Sequence, residues 1–91
     1  MTQDFTSEPT HSIVLLTRPG CGLCETARNQ LLPICADHGI DLESVDVDEA
    51  ASTRPELRAE FGDRLPVVLL DGREHSYWEV DETRLRADLE R

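Results

Sequence analysis

Residues 13–24 read Ile13-Val14-Leu15-Leu16-Thr17-Arg18-Pro19-Gly20-Cys21-Gly22-Leu23-Cys24, and this stretch decides the fold. Its first four residues form an uninterrupted apolar run with β-branched members. Such a run, stopped by Pro19-Gly20, predicts a strand buried on both faces. The period then changes. Cys24, Ala27, Leu31, Ile34 and Cys35 recur at steps of three and four, which predicts a helix with one apolar face. Arg28, Asn29, Gln30 and Asp37 fall on or near its polar side. Pro33 is discordant, because it lacks an N–H and crowds the preceding turn. A kink or irregularity is expected near residues 29–33, and Gly39 is expected to close the helix.

The Cys-x-x-Cys therefore stands where a strand hands over to a helix. A thiol at a helix N-terminus meets unpaired backbone N–H groups and the positive end of the helix dipole, both of which favour thiolate. Arg18, three residues upstream of Cys21, adds a second positive charge. The effect is large in rate terms. A thiol of pKa about 8.5 is a few per cent ionised at pH 7, whereas one of pKa about 6 is roughly 90% ionised. This reading makes Cys21 the exposed nucleophile. Cys24, one turn on and facing the core, becomes the resolving thiol. Two other readings use the same residues: a metal or iron–sulfur module held by Cys21 and Cys24, and a redox-silent interaction domain in which both are inert.

Downstream, Ile40, Leu42, Val45 and Val47 alternate imperfectly with acids, as in a strand. Residues 49–61 look helical, with Pro55 in the first turn and Ser52 or Thr53 as the cap. Residues 65–70 predict another buried strand. Asp71-Gly72 is a hairpin signal, and residues 73–78 supply the return strand. Asp81 reads as the N-cap of a last helix whose apolar face is Leu85 and Leu89. The order β-α-β-α-β-β-α calls for a four-stranded mixed sheet with helices on both faces, a parallel pair coming from the right-handed βαβ crossover. Residues 1–11 are polar and acidic and are expected to form a flexible tail, with 12–91 as one domain.

Composition narrows the partners. The 91 residues contain nine Arg, no Lys and nineteen acids, for a net charge of −10. Such a chain repels nucleic-acid phosphates and anionic membranes. No apolar run approaches the roughly 18–20 residues of a membrane span, and the N-terminus lacks a signal-peptide pattern, so a cytoplasmic protein is expected. In that reducing setting three cysteines suit redox or metal chemistry better than a disulfide scaffold.

Other residues invite sharper readings that physics weakens. Cys24, Cys35 and His38 could extend to a zinc constellation. An unbroken helix, however, would hold Cys24 and Cys35 about 16 Å apart along its axis. Cys35 is therefore read as a core thiol. His11 and His75 lack partners at ligand spacing and read as solvated surface residues. The acids Asp41, Glu43, Asp46, Asp48 and Glu49 read as a solvated face, and Trp78 as packing under the sheet.

Thr17–Cys24 between a strand and a helix, with Leu65-Pro66-Val67 opening a hairpin, resembles the thioredoxin-fold superfamily, most of all small bacterial glutaredoxin-like proteins. The resemblance covers residues 12–91. It implies a cis Leu65–Pro66 bond opposite the Cys pair, beside which an extended peptide or glutathione is held by strand addition. It also implies a thiol–disulfide oxidoreductase with Cys21 and Cys24 catalytic and with Arg18, Leu65, Pro66 and Asp81 on the substrate. No metal or organic cofactor would be bound. Electrons would come from glutathione or a reductase, the partner would be a protein or small-molecule disulfide, and the chain would act as a monomer. Three stretches depart from glutaredoxins. Gly22-Leu23 replaces Pro-Tyr between the cysteines, and Arg64-Leu65 replaces Thr-Val before the proline. Tyr77-Trp78-Glu79-Val80 stands where a Gly-Gly turn precedes the Asp. These departures put glutathione binding in question. The Tyr77-Trp78 pair is instead similar to that of glutaredoxin-like donors reduced by thioredoxin reductase.

Overall fold

A computed structural model describes residues 11–90. The tail expected over residues 1–11 lies outside the described residues, apart from His11. The elements are β1 (Ile13–Thr17), α1 (Gly22–Asp37), β2 (Leu42–Asp46), a 3-10 turn (Glu49–Ser52), α2 (Pro55–Phe61), β3 (Val67–Leu70), β4 (Arg73–Tyr77) and α3 (Glu82–Leu89). They form one mixed sheet in the order β2-β1-β3-β4. β1 pairs parallel with β2 and antiparallel with β3, and β3 pairs antiparallel with β4. This is the thioredoxin-like arrangement that the sequence predicts.

Alternate residues of the central strands feed two cores. Ile13, Leu15 and Val68 point to one face, where Ala27, Leu31, Ile34, Leu85 and Leu89 of α1 and α3 cover them. Leu16, Val67 and Leu69 point to the other, under Phe61 and Leu57 of α2. Both faces of β1 and β3 are thus dry, which explains their continuous apolar runs. The Asp71-Gly72 hairpin takes positive φ at both central residues, 54° and 84°, as a type I′ turn requires. His11 Nδ1 lies 2.7 Å from Asp71 Oδ2, so His11 is paired rather than freely solvated.

α1 is unbroken through Pro33, which removes the break that a shared zinc site would need. Its end is a Schellman motif: Gly39 N–H donates to Ala36 O at 3.3 Å and Ile40 N–H to Cys35 O at 2.9 Å. Pro33 is exposed and leaves the Asn29 carbonyl without its helical donor. Pro33→Ala is therefore expected to stabilise the protein by about 1–2 kcal/mol, after allowing for the freer unfolded chain. A rise in the urea midpoint at constant m-value checks it.

Three expectations are corrected. α2 begins at Pro55 with Arg54 as its N-cap, and neither Ser52 nor Thr53 caps it. The Thr53 hydroxyl instead bonds Ala50 O, closing the 3-10 turn. His75 is buried, not solvated. A β-bulge between Val68 and Leu69 pairs them with Ser76 and Glu74, so His75 is the extra residue and turns inward to Asp88, with Nε2 2.8 Å from Oδ2. Trp78 is 55% exposed and does not pack under the sheet.

Candidate functional site

The site is built where β1 ends. Gly20, at φ +73°, occupies the left-handed region that favours glycine and turns the chain from β1 into α1. Cys21 follows as the N-cap of a 16-residue helix. Its Sγ accepts the Cys24 N–H at 3.1 Å. Cys21 and Cys24 are joined as a disulfide, with their Cα atoms 5.2 Å apart. Cys21 is half-buried and Cys24 is 5% exposed, so an attacking or leaving sulfur reaches Cys21 first. Cys35 is buried at 2%, and burial pushes its thiol pKa up, away from reactivity. His38 Nδ1 is 2.8 Å from Ile34 O. Among the described residues, no three His, Cys, Asp or Glu side chains converge to hold a metal.

A cleft of about 490 Å³ opens beside the pair, lined by Thr17, Arg18, Cys21, Cys24, Arg28 and Ser44 among others. Arg18 is oriented by Asp48, its Nε 3.0 Å from Oδ2, and Arg58 approaches the same carboxylate at 3.7 Å. Exposed pairs like these add about 0–1 kcal/mol or less, so orientation is their main effect. Asp46 accepts the N–H groups of Asp48 and Glu49 at 2.9 and 3.2 Å. Part of the acidic run thus shapes the site instead of only facing solvent. Arg28 was not singled out by the sequence reading. Its signal is spacing: it stands four residues after Cys24 on α1 and so lies near it on the helix surface. Ser44 carries no signal of its own.

The Leu65–Pro66 peptide is cis. Leu16 pairs with Val67, which sets Pro66 level with Thr17 at the cysteine end of the sheet. Pro66 is fully buried, and Leu65 is partly buried against the α2-side core. Arg64 braces this segment. Its Nε and Nη2 bond the Glu74 carboxylate at 3.2 and 3.1 Å, which holds the guanidinium pKa above its ordinary value. Trp78 N–H donates to Pro66 O at 2.7 Å, tying the segment before α3 to the proline. Trp78 has φ +69°, a conformation costing about 1–3 kcal/mol for a bulky residue. Its ring meets Tyr77 edge-on at 5.0 Å between centroids.

Asp81 stands apart from the cysteines. It caps α3, accepting the Arg84 N–H and pairing with Arg84 Nε, each at 3.2 Å. It lines a separate cleft of about 640 Å³ between β4 and α3, which contains neither cysteine nor Pro66. The backbone bond from Arg84, then its guanidinium, holds the Asp81 carboxyl below the usual range. A lowered folded pKa favours the folded state wherever the group is ionised. The contribution is therefore complete above the unfolded value of about 3.9 and disappears as pH falls through the folded value. Asp81→Ala is expected to lower Tm by a few degrees at pH 7, and by less as the pH drops below about 4. Asp81→Asn should retain most of the cap; thermal melts followed by circular dichroism test both.

These features define a thioredoxin-fold domain with a Cys-x-x-Cys at the start of its first helix. The glutaredoxin-like domain family (DUF836) matches residues 12–90, and the chain belongs to that family. It is 64% identical over 80 residues to the uncharacterized protein Rv0508 of Mycobacterium tuberculosis, covering 87% of this chain and 82% of that one. It is 28% identical over 83 residues to a Dictyostelium discoideum glutaredoxin-like protein, the YDR286C homolog, covering 87% and 75%. The solution structure of Ne2328 from Nitrosomonas europaea superposes with TM-score 0.74 at 24% identity, over 97% of this chain and 98% of that one. Fasciola hepatica thioredoxin superposes with TM-score 0.62 at 18% identity, over 92% and 82%. Both structural likenesses speak to the fold.

Proposed function

We propose that this protein is a dithiol–disulfide oxidoreductase acting in the cytoplasm, and the observation that carries the reading is the placement of Cys21. Its sulfur caps a 16-residue helix, 3.1 Å from a backbone N–H, and is the more exposed of a bonded pair. In the reduced protein the same donors favour the Cys21 thiolate. That thiolate attacks one sulfur of a substrate disulfide. A new S–S bond forms, the substrate S–S bond breaks, and the departing thiolate takes a proton. Cys24, deprotonated, then attacks Cys21 Sγ, restoring the Cys21–Cys24 disulfide and expelling the second substrate thiol. Two electrons pass to the substrate, and an external thiol or a reductase dithiol returns them. Pro66 and its neighbouring backbone hold the substrate segment, with Arg18 beside the sulfur. Asp81 acts on the substrate side through the start of α3.

The test is stoichiometric. The protein is reduced with a dithiol, freed of reductant, and mixed with excess disulfide. One substrate disulfide reduced per chain is expected. No thiol release from the substrate would overturn the proposal.

A further inference from the structure

The loop between α2 and β3 carries the proline, and its two ends are tied down by different means. Upstream, Arg64 N–H donates to Phe61 O at 3.1 Å, and the Arg64 guanidinium lies 5.4 Å from the centre of the Phe61 ring. The same guanidinium reaches Glu74 of β4 through two bonds, of 3.2 Å from Nε and 3.1 Å from Nη2. Its third nitrogen, Nη1, donates to Asp63 at 3.2 Å. Downstream, Pro66 O accepts the Trp78 N–H at 2.7 Å. Residues 64 and 66 are therefore both tied to the segment 74–78. Leu65 stands between the two ties, and among the described residues its N–H and C=O carry no hydrogen bond.

The upstream tie fixes orientation as well as distance. Glu74 lies in a strand and stands opposite Leu69 of β3, so its carboxylate has a rigid base. Two parallel bonds from one guanidinium to one carboxylate set an angle, which a single Lys ammonium cannot do. Contact with the face of the Phe61 ring adds a third point of hold. Arg64 and Glu74 are only 28% and 29% exposed at their side chains, so solvent and salt screen this pair less than the open pairs elsewhere on the chain.

We infer that Arg64 and Glu74 are positioning residues, whose two-bond fork keeps the Leu65–Pro66 backbone fixed at the cysteine end of the sheet, ready for an extended peptide segment beside the reacting disulfide. This role rests on the oxidoreductase reading and adds to it a dependence on substrate length. A peptide disulfide long enough to lie along residues 64–66 uses the held backbone. A small disulfide that meets only the Cys21 sulfur does not. The gain is in the rate of attack, because a loop already in place costs no ordering when the substrate arrives, and a misplacement of about 1 Å can cost up to about 100-fold.

Two variants remove the fork from opposite ends. Arg64→Met keeps an apolar contact with Phe61 and deletes the guanidinium. Glu74→Thr suits a strand and is too short to reach Arg64. Each reduced protein is mixed with an excess of a disulfide-linked peptide dimer and, separately, of hydroxyethyl disulfide, and thiol release gives the two rate constants of attack. The ratio of the peptide constant to the hydroxyethyl constant is expected to fall by about tenfold in each variant, and no further in the double variant, because both changes delete one interaction. A purely structural role slows both disulfides together and leaves the ratio where it was. Circular dichroism at the assay temperature checks that each variant is folded, and Glu74→Thr carries the test if Arg64→Met is not. A second readout needs no turnover: hydrogen exchange at the Trp78 amide, whose acceptor is Pro66 O, should quicken by about tenfold in both variants. An unchanged ratio, or a Trp78 amide that exchanges as before, would overturn the positioning role. If the unaltered protein reduces neither disulfide, the oxidoreductase reading fails and the role falls with it. If the unaltered protein is active and the ratio does not move, the positioning role alone fails.

Discussion

Cys21→Ser is expected to reduce disulfides at least about 10³-fold more slowly than the unaltered chain, because the attacking sulfur is gone and a neutral hydroxyl cannot replace a thiolate. Cys24→Ser should fail differently. Cys21 still attacks, but no second sulfur lies one helical turn away to release the product. The protein should therefore accumulate as a mixed disulfide, heavier by one substrate thiol, with turnover left to whatever external thiol cleaves it. Cys35→Ala should leave both steps intact, since that thiol is buried among apolar neighbours and shifted away from ionisation. Stopped-flow thiol release and intact mass distinguish the three variants. Equal loss in Cys21→Ser and Cys35→Ala would contradict the assignment of roles.

Leu31→Ala should bring the largest loss of stability. Leu31 is fully buried where α1 packs against β1, β3 and α3. Deleting its side chain removes the transfer free energy and leaves a cavity, a combined cost of about 2–5 kcal/mol. A domain of this size is stable by roughly 5–15 kcal/mol, so one substitution removes a large share of it. Leu32, its neighbour in sequence, is 41% exposed. Leu32→Ala should change stability by about 0.5 kcal/mol or less. Urea unfolding at constant m-value measures both. The contrast also bears on function, because α1 carries Cys21 at its start and any repacking of the helix moves the sulfur.

The strands and helices were largely legible because the hydrophobic periods are clean. Ile13–Leu16 and Val67–Leu70 are apolar on every residue because helices cover both of their faces. Asp71-Gly72 marked its hairpin, and Asp81 its cap. The cysteine pair was legible because a strand ends and a helix begins around it. The misreadings have local causes. His75 reads as solvated because the sequence shows it no partner at ligand spacing, whereas the bulge in the β3–β4 pair turns it inward onto Asp88. Trp78 reads from the sequence as an aromatic packed under the sheet. A positive φ and the bond to Pro66 O hold it outward, and both depend on tertiary contacts between distant residues. Thr53 was expected to cap α2, yet its hydroxyl is spent on the preceding 3-10 turn. Asp81, readable as a cap from its place before the last helix, holds the Arg84 N–H and guanidinium with its carboxylate.

The proposed oxidoreductase requires that Cys21 and Cys24 form a reversible dithiol–disulfide couple. Intact mass in non-denaturing buffer, before and after a dithiol reductant, with each cysteine mapped by alkylation, tests it most directly. A reversible gain of two hydrogens is expected on reduction, with alkylation appearing at Cys21 and Cys24 and with Cys35 unpaired throughout. Three thiols that stay reduced in mild oxidant, or a metal released on acidification from an otherwise reduced protein, would contradict it.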